Sequence, residues 1–378
     1  MYADAEVVTG PAPDYAPQYF ADVMQPVLHD LNRVGILGVS MAIDIPCRET
    51  IFLSDGYVDL AHSDAMDPSR LFQIGSQTKM FTAAAVILLM REGKLDIKDP
   101  VSDYVTGLTG TPDATIEQLL THTSGVGDSV SVFDPPAKRP NYAVSLDDHL
   151  FLAKVEGQQF EPGTDWAYNN LGYIVLGEIV ERVSGDDLNE YLHEKLFNPL
   201  NMTSTWLGAL ETFPETQMAR GYVRDDTSSE HEDVSAPDLS WASSAGDMVS
   251  NLEDMLAWSR ALLDPDNPTG LTLADFRHDI VDTGAKGNLE TYGLGFMGWN
   301  FNGRILWGHG GNIHGYVSLT MLDPDSGIIV AMMTNLKEYS ADLMPTLESA
   351  FSIALRMGLL VQKFDEQAAQ CNHSLTRR

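Results

Sequence analysis

Positive charge is scarce in this chain: 23 Lys plus Arg face 54 Asp plus Glu, a net charge of −31. A surface of that sign repels nucleic acid and anionic membrane, which excludes both as partners. Cysteine is scarcer, with only Cys47 and Cys371. Two such residues make neither a disulfide framework nor a metal-ligand spacing; free thiols are expected, with a Cys47–Cys371 pair the alternative if the termini meet. Long apolar runs are also missing. The longest, residues 83–90, falls far short of the roughly 20 needed to span a bilayer, so no membrane span is expected. No basic cluster precedes an apolar core near residue 1, which argues against a signal peptide. The compartment stays open: cytoplasmic for a complete chain, periplasmic or secreted for a mature form. None of the ten histidines lies in a His-Glu-x-x-His pattern, so neither metal nor cofactor is expected.

What is present suits a globular fold: 378 residues, 44% hydrophobic, enough for one large or two fused domains. Residues 17–31 carry a helical stripe of Phe20, Val23, Met24, Val27, Leu28 and Leu31. Residues 39–45 alternate and residues 51–60 read as a second strand, giving a hairpin. A long, mainly helical middle follows, marked by Thr115 with Gln118, by Ser145, by residues 171–184 closed by Gly185, and by helices at 187–196, 251–263 and 272–281. Residues 128–141 form a loop of the length that covers a site, and 218–240 is left unassigned. Strand-like runs at 292–299, 304–308, 316–322 and 328–334 precede a helical pattern over 341–359. The economical arrangement is α+β. Residues 1–70 and 285–378 make one antiparallel sheet flanked by the terminal helices, residues 71–284 form a mostly helical lobe, and the site lies in the cleft between them.

Within that lobe, residues 77–92 predict a buried helix, with Ser76 at its start and Lys79 three residues on, sharing a face. An amine whose pKa burial has lowered can take the proton of a serine and make it a nucleophile. The competing structural reading is an N-cap serine beside a solvated lysine. Tyr168 and Asn170 place a phenol and a carboxamide in one turn, which supply a proton relay and a carbonyl grip; a capping turn with a packed tyrosine is the alternative. At His309-Gly310-Gly311-Asn312 the glycines let a substrate backbone approach and leave amides as oxyanion donors, or else form a bulged turn. Gly293 to Gly298 matches the dinucleotide fingerprint, but neither the required strand nor the required helix flanks it.

Taken together and in this order, Ser76-x-x-Lys79, Tyr168-x-Asn170 and His309-Gly310-Gly311 resemble the three motifs of the penicillin-recognising serine hydrolases, in the class C β-lactamase and D,D-peptidase branch. Leu120-Thr121-His122-Thr123-Ser124-Gly125, Pro162-Gly163, Leu171-Gly172-Tyr173 and Ser244-Ala245-Gly246-Asp247-Met248 extend the likeness. The resemblance implies a class C β-lactamase-like fold without cofactor. It implies that Ser76 is acylated, Lys79 accepts its proton, Tyr168 relays that proton to the leaving group, Asn170 grips the acyl amide, and the amides of Ser76 and Asn312 form the oxyanion hole. Lactamases carry Lys-Thr-Gly where this chain has His309-Gly310-Gly311, which moves the expectation from lactams to amides. D,D-peptidases, D-aminopeptidases and D-amino-acid amidases are the members it resembles, with a small molecule or short peptide as substrate and a homo-oligomer allowed. Trp307 keeps a family VIII-like carboxylesterase as an alternative beside a β-lactamase, and a penicillin-binding sensor that acylates without turnover is the non-enzymatic one.

Overall fold

The computed structural model describes residues 17–364 apart from 34, 109–112, 131–141, 225–229, 236–237, 302 and 339–342. An eight-stranded sheet runs from its edge Ile51–Gly56 through Gly38–Asp44, Ile329–Thr334, Tyr316–Leu322, Arg304–Ile313, Met297–Phe301 and Leu289–Tyr292 to Val281–Lys286. Each neighbouring pair is antiparallel. Early and late strands thus share one sheet, as the economical arrangement requires, because Gly38–Asp44 pairs with Ile329–Thr334.

The central strands are buried on both faces, and their period of two divides them between two cores. Val39, Met41 and Ile43 point to one side, with Val317, Leu319, Met321, Val330 and Met332. There they meet Phe20, Met24, Leu28 and Leu31 of the helix Pro17–Arg33, and Leu347, Phe351 and Leu355 of the helix Leu343–Phe364. Ala42, Ala331 and Met333 point the other way and join the core of the helical lobe. That lobe is centred on Thr78–Arg91, whose residues are buried almost throughout, packed against Asn170–Ser184 and Leu252–Leu263.

The capping signals in the sequence act as expected. Thr115 and Ser145 each close a capping box, Asn251 caps Leu252–Leu263, and Gly185 ends its helix in the left-handed conformation. Two expectations need correction, and one open stretch is filled. The helix expected over 272–281 is a single turn, Leu273–Phe276; the chain turns at Asp279, φ 52°, and Val281–Lys286 becomes the edge strand of the large sheet. The unassigned stretch holds two short strands, Tyr222–Arg224 and His231–Asp233, which pair with each other beside Leu336–Glu338. Cys47 is not a free thiol but disulfide-bonded; Cys371 lies outside the described residues. Among the described residues no helix is long and apolar enough to cross a membrane.

Candidate active site

Ser76 sits in the middle of a 3-10 turn, Gly75–Gln77, that feeds the helix Thr78–Arg91. The turn is pinned from both sides. Ile74 donates its amide to the Met248 carbonyl of the lobe at 2.9 Å and accepts from Ser318 Oγ of the sheet at 2.8 Å, while Thr78 Oγ1 donates to the Gly75 carbonyl at 2.7 Å. The strand Arg304–Ile313 crosses this turn so closely that a Cβ on Gly311 would fall 1.9 Å from the Ile74 oxygen. Only glycine fits there. Gly310 is different, since a Cβ on it meets nothing nearer than 3.8 Å.

That crossing also frees backbone donors. The strand Met297–Phe301 pairs no further along Arg304–Ile313 than Gly308. The other neighbour, Tyr316–Leu322, closes on it through a two-residue turn with Ile313 opposite Tyr316. In such a hairpin, alternate residues bond across the ladder, so Ile313 and Gly311 bond to the partner strand while Asn312 and Gly310 turn their amides outward. The Asn312 amide lies at the Ser76 turn: a Cβ on Gly75 would be 3.1 Å from it.

Lys79 is fully buried, with Nζ 3.2 Å from Ser76 Oγ, 2.8 Å from Asn170 Oδ1 and 2.7 Å from the Ala245 carbonyl. Burial lowers its pKa to about 7, partly opposed by the charge of Asp128. The competing picture of a solvated lysine therefore fails. Nζ also lies 4.8 Å from the centre of the Tyr168 ring. Burial raises the Tyr168 pKa, the Ser76 hydroxyl pulls it partly back, and the group stays a phenol at neutral pH. Its oxygen is buried without a hydrogen bond of normal geometry in this resting state.

Tyr168 is held by residues the sequence reading left without a role. His122, at φ 62°, accepts the Asn169 amide on Nδ1 at 3.1 Å and the Ala167 amide on its carbonyl at 3.1 Å, so it grips both sides of the tyrosine. Its ring centre is 4.4 Å from that of Tyr168 and 4.5 Å from that of Tyr292. Burial, then the charge of Lys79, hold it well below the usual histidine range. The motif run Leu120–Gly125 was the only hint of it. Asp128 had no hint beyond its place in the covering loop, of which Asp128 and Val130 line the cavity and 131–141 lie outside the described residues.

His309 is not among the residues that line the cavity. It is fully buried, with Nδ1 2.5 Å from the Gly310 carbonyl and Nε2 3.0 Å from the Tyr292 hydroxyl. A carbonyl only accepts, so Nδ1 carries the proton and Nε2 accepts from the tyrosine. Burial, then the charge of Lys79, lower its pKa to about 3. It is a neutral ring. Ser76, Tyr168, Asn170, Gly310, Gly311 and Asn312 do line one cavity of about 1030 Å³. Among the described residues, no group of His, Cys, Asp and Glu is arranged to hold a metal.

Residues 18–352 match the family described as Beta-lactamase. The chain belongs to the Beta-lactamase family. The fold is that of D-amino acid amidase from Ochrobactrum anthropi SV3, with a TM-score of 0.82 at 26% identity, covering 89% of this chain and 99% of the amidase. D-stereospecific amidohydrolase from Streptomyces sp. superposes with a TM-score of 0.74 at 26% identity, covering 87% and 97%. The putative penicillin-binding protein PbpX of Bacillus subtilis is 29% identical over 279 residues, which are 73% of this chain and 65% of PbpX. The chain thus spans under two thirds of that relative's length. Protein flp of Staphylococcus aureus is 25% identical over 356 residues, 91% of this chain and 69% of flp.

Proposed function

We propose that this chain is a serine hydrolase that passes through an acyl-enzyme at Ser76, with amides of D-amino acids or short D-peptides as substrates. The observation that carries the reading is Lys79, an amine brought by burial to a pKa of about 7 with Nζ 3.2 Å from Ser76 Oγ. An amine so tuned is neutral often enough near pH 7 to accept the serine proton. The Ser76 oxygen then attacks the substrate carbonyl, and the amides of Ser76 and Asn312 hold the oxyanion, each donor worth roughly 3 kcal/mol. Tyr168, kept a phenol by burial, gives its proton to the departing amine and is reprotonated from Lys79. Water cleaves the ester, and Ser76 recovers its proton. Asn170 orients Lys79 and the acyl amide. His309 orients Tyr292 beside the tyrosine relay.

The cavity wall supports the substrate class. Trp166, Trp241, Trp299, Leu289 and Met297 offer an apolar surface to a substrate side chain, and Asp128 and Glu156 offer carboxylates to its ammonium group. The similar amidase and amidohydrolase are named for D-amino acid and D-stereospecific substrates. Trp307, the residue behind the ester alternative, is buried under Arg277, 5.1 Å from its ring, and is absent from the cavity wall.

Steady-state kinetics on D- and L-amino-acid amides, nitrophenyl esters and a chromogenic cephalosporin test the reading. A D-amide is expected to have the highest kcat/KM, rising with pH through about 7 as Lys79 loses its proton. A cephalosporin that outperforms every D-amide overturns the substrate. A stoichiometric burst without turnover makes the chain a sensor.

A further inference from the structure

We propose that Asp128 is a positioning residue: it dictates which atom of the Asn170 amide meets Lys79 and supplies the negative charge against which that amine titrates. The inference deepens the serine-hydrolase reading and rests on it. Asp128 lies in the loop after Ile116–Leu120, half-buried at the start of the helix Asn170–Ser184. Its Oδ1 accepts the Asn170 amide at 3.0 Å and the Leu171 amide at 3.3 Å, so a carboxylate occupies the positive end of a 15-residue helix. Its Oδ2 accepts Asn170 Nδ2 at 3.4 Å.

The consequence follows from donor chemistry. A carboxylate only accepts, so the side-chain amide must turn Nδ2 toward Asp128 and Oδ1 toward Lys79, where it accepts from Nζ at 2.8 Å. Reversed, the amide would set its own hydrogens against those of the amine. Asp128 thus fixes an orientation that Lys79 alone leaves to thermal flipping once the amine is neutral, because a neutral amine can also accept.

The charge balance points the same way. Lys79 is faced by Ser76 on its own turn, by the Tyr168 and Tyr173 rings and Asn170, by the Ala245 carbonyl, and by His122 and His309. Both histidines are held far below neutrality, and the tyrosines are kept as phenols. Asp128 is therefore the group that offsets the burial of the amine.

The test is the pH dependence of Ser76 labelling by a fluorophosphonate, which needs no knowledge of the natural substrate. Wild type is expected to show a labelling rate that rises with pH through about 7. Asp128→Asn keeps an acceptor for the helix amides and removes the charge. Its rise is expected to move to lower pH by roughly half a unit or more, with a several-fold slower plateau. Asp128→Glu is expected to return the rise toward the wild-type position. Asp128→Ser, which also accepts helix amides without charge, replaces the asparagine variant if that variant does not fold. A rise unmoved in the uncharged variants overturns the inference. So does a loss confined to KM for amides bearing a free amino group, which makes Asp128 a substrate contact alone. Absence of wild-type labelling at every pH sinks the nucleophile reading and this inference with it.

Discussion

The two faces of the large sheet both bury apolar side chains, and one of them buries polar and ionisable groups as well. Against the terminal helices the filling is apolar, with Phe351, Phe301, Met24 and Val330 in contact range of their neighbours. Against the helical lobe, the sheet meets Lys79, His122, Gln77 and Asn169, all buried, and itself contributes His309 and Ser318. Burying such groups costs free energy unless they are paired. Three of them have specific partners: Lys79 with Asn170 and the Ala245 carbonyl, His309 with Tyr292, Ser318 with the Ile74 carbonyl. On the proposed function, one face serves stability alone and the other gives up part of it to hold a reactive geometry.

The sharpest way to separate the faces is to delete one group from each. Ser76→Ala is expected to lower kcat by about 10⁴-fold or more while leaving the melting temperature nearly unchanged, since nucleophile, base and relay act as a unit. Adduct mapping by mass spectrometry that finds another residue labelled would falsify the assignment of Ser76.

Lys79→Met is expected to be as inactive and, unlike Ser76→Ala, to change stability. The folded pKa of about 7 lies below the unfolded 10.5, so the unfolded chain binds more protons between those values. Wild-type stability should therefore rise across that window, by up to roughly 1.4 kcal/mol per pH unit relative to the variant. The full deficit, roughly 5 kcal/mol, stands below pH 7. Urea unfolding of both proteins at pH 7 and pH 9 measures it, and equal slopes would mean that the amine is not buried as described.

On the apolar face, Phe351→Ala is expected to cost about 3–5 kcal/mol of stability with kcat/KM unchanged per folded molecule. A matching loss of catalytic rate would show that the two faces are coupled. Gly310→Thr acts only at the cavity, where there is room for its side chain. It should shift selectivity toward substrates with a free carboxylate by about 1–3 kcal/mol through the new hydroxyl. Lys337 is the one cation among the described lining residues, so competition kinetics of a D-peptide acid against its amide reads this directly. The smallest effect belongs to the outer surface. With a net charge of −31, the melting temperature should climb by a few degrees on going to molar chloride, where the Debye length falls to about 3 Å; a flat or falling trend would show that self-repulsion is unimportant.

The legible parts of the sequence were those governed by neighbours along the chain. The stripe of the first helix, the capping residues and the first hairpin depend on spacing and local hydrogen bonds. So did the association of Ser76 with Lys79, since three residues on a helix share a face. The helix expected over 272–281 failed because local propensity was outweighed by the need of Leu289–Tyr292 for an edge partner. Trp307 looked relevant by its nearness to His309, with which it shares a side of the strand, yet its burial beneath Arg277 comes from a segment thirty residues earlier.

Sequence alone determined the motif residues, the apolar periods and the acidic surface, because each is a property of composition or of short spacing. Tertiary structure decided the rest. It brought Asp128 to the helix start at Asn170 across 42 residues and His122 to the Asn169 amide across 47. It buried His309 in a bond with Tyr292, and it buried Lys79 until its pKa fell to about 7. Desolvation and long-range hydrogen bonding depend on what surrounds a group in space, and no spacing along the chain encodes that.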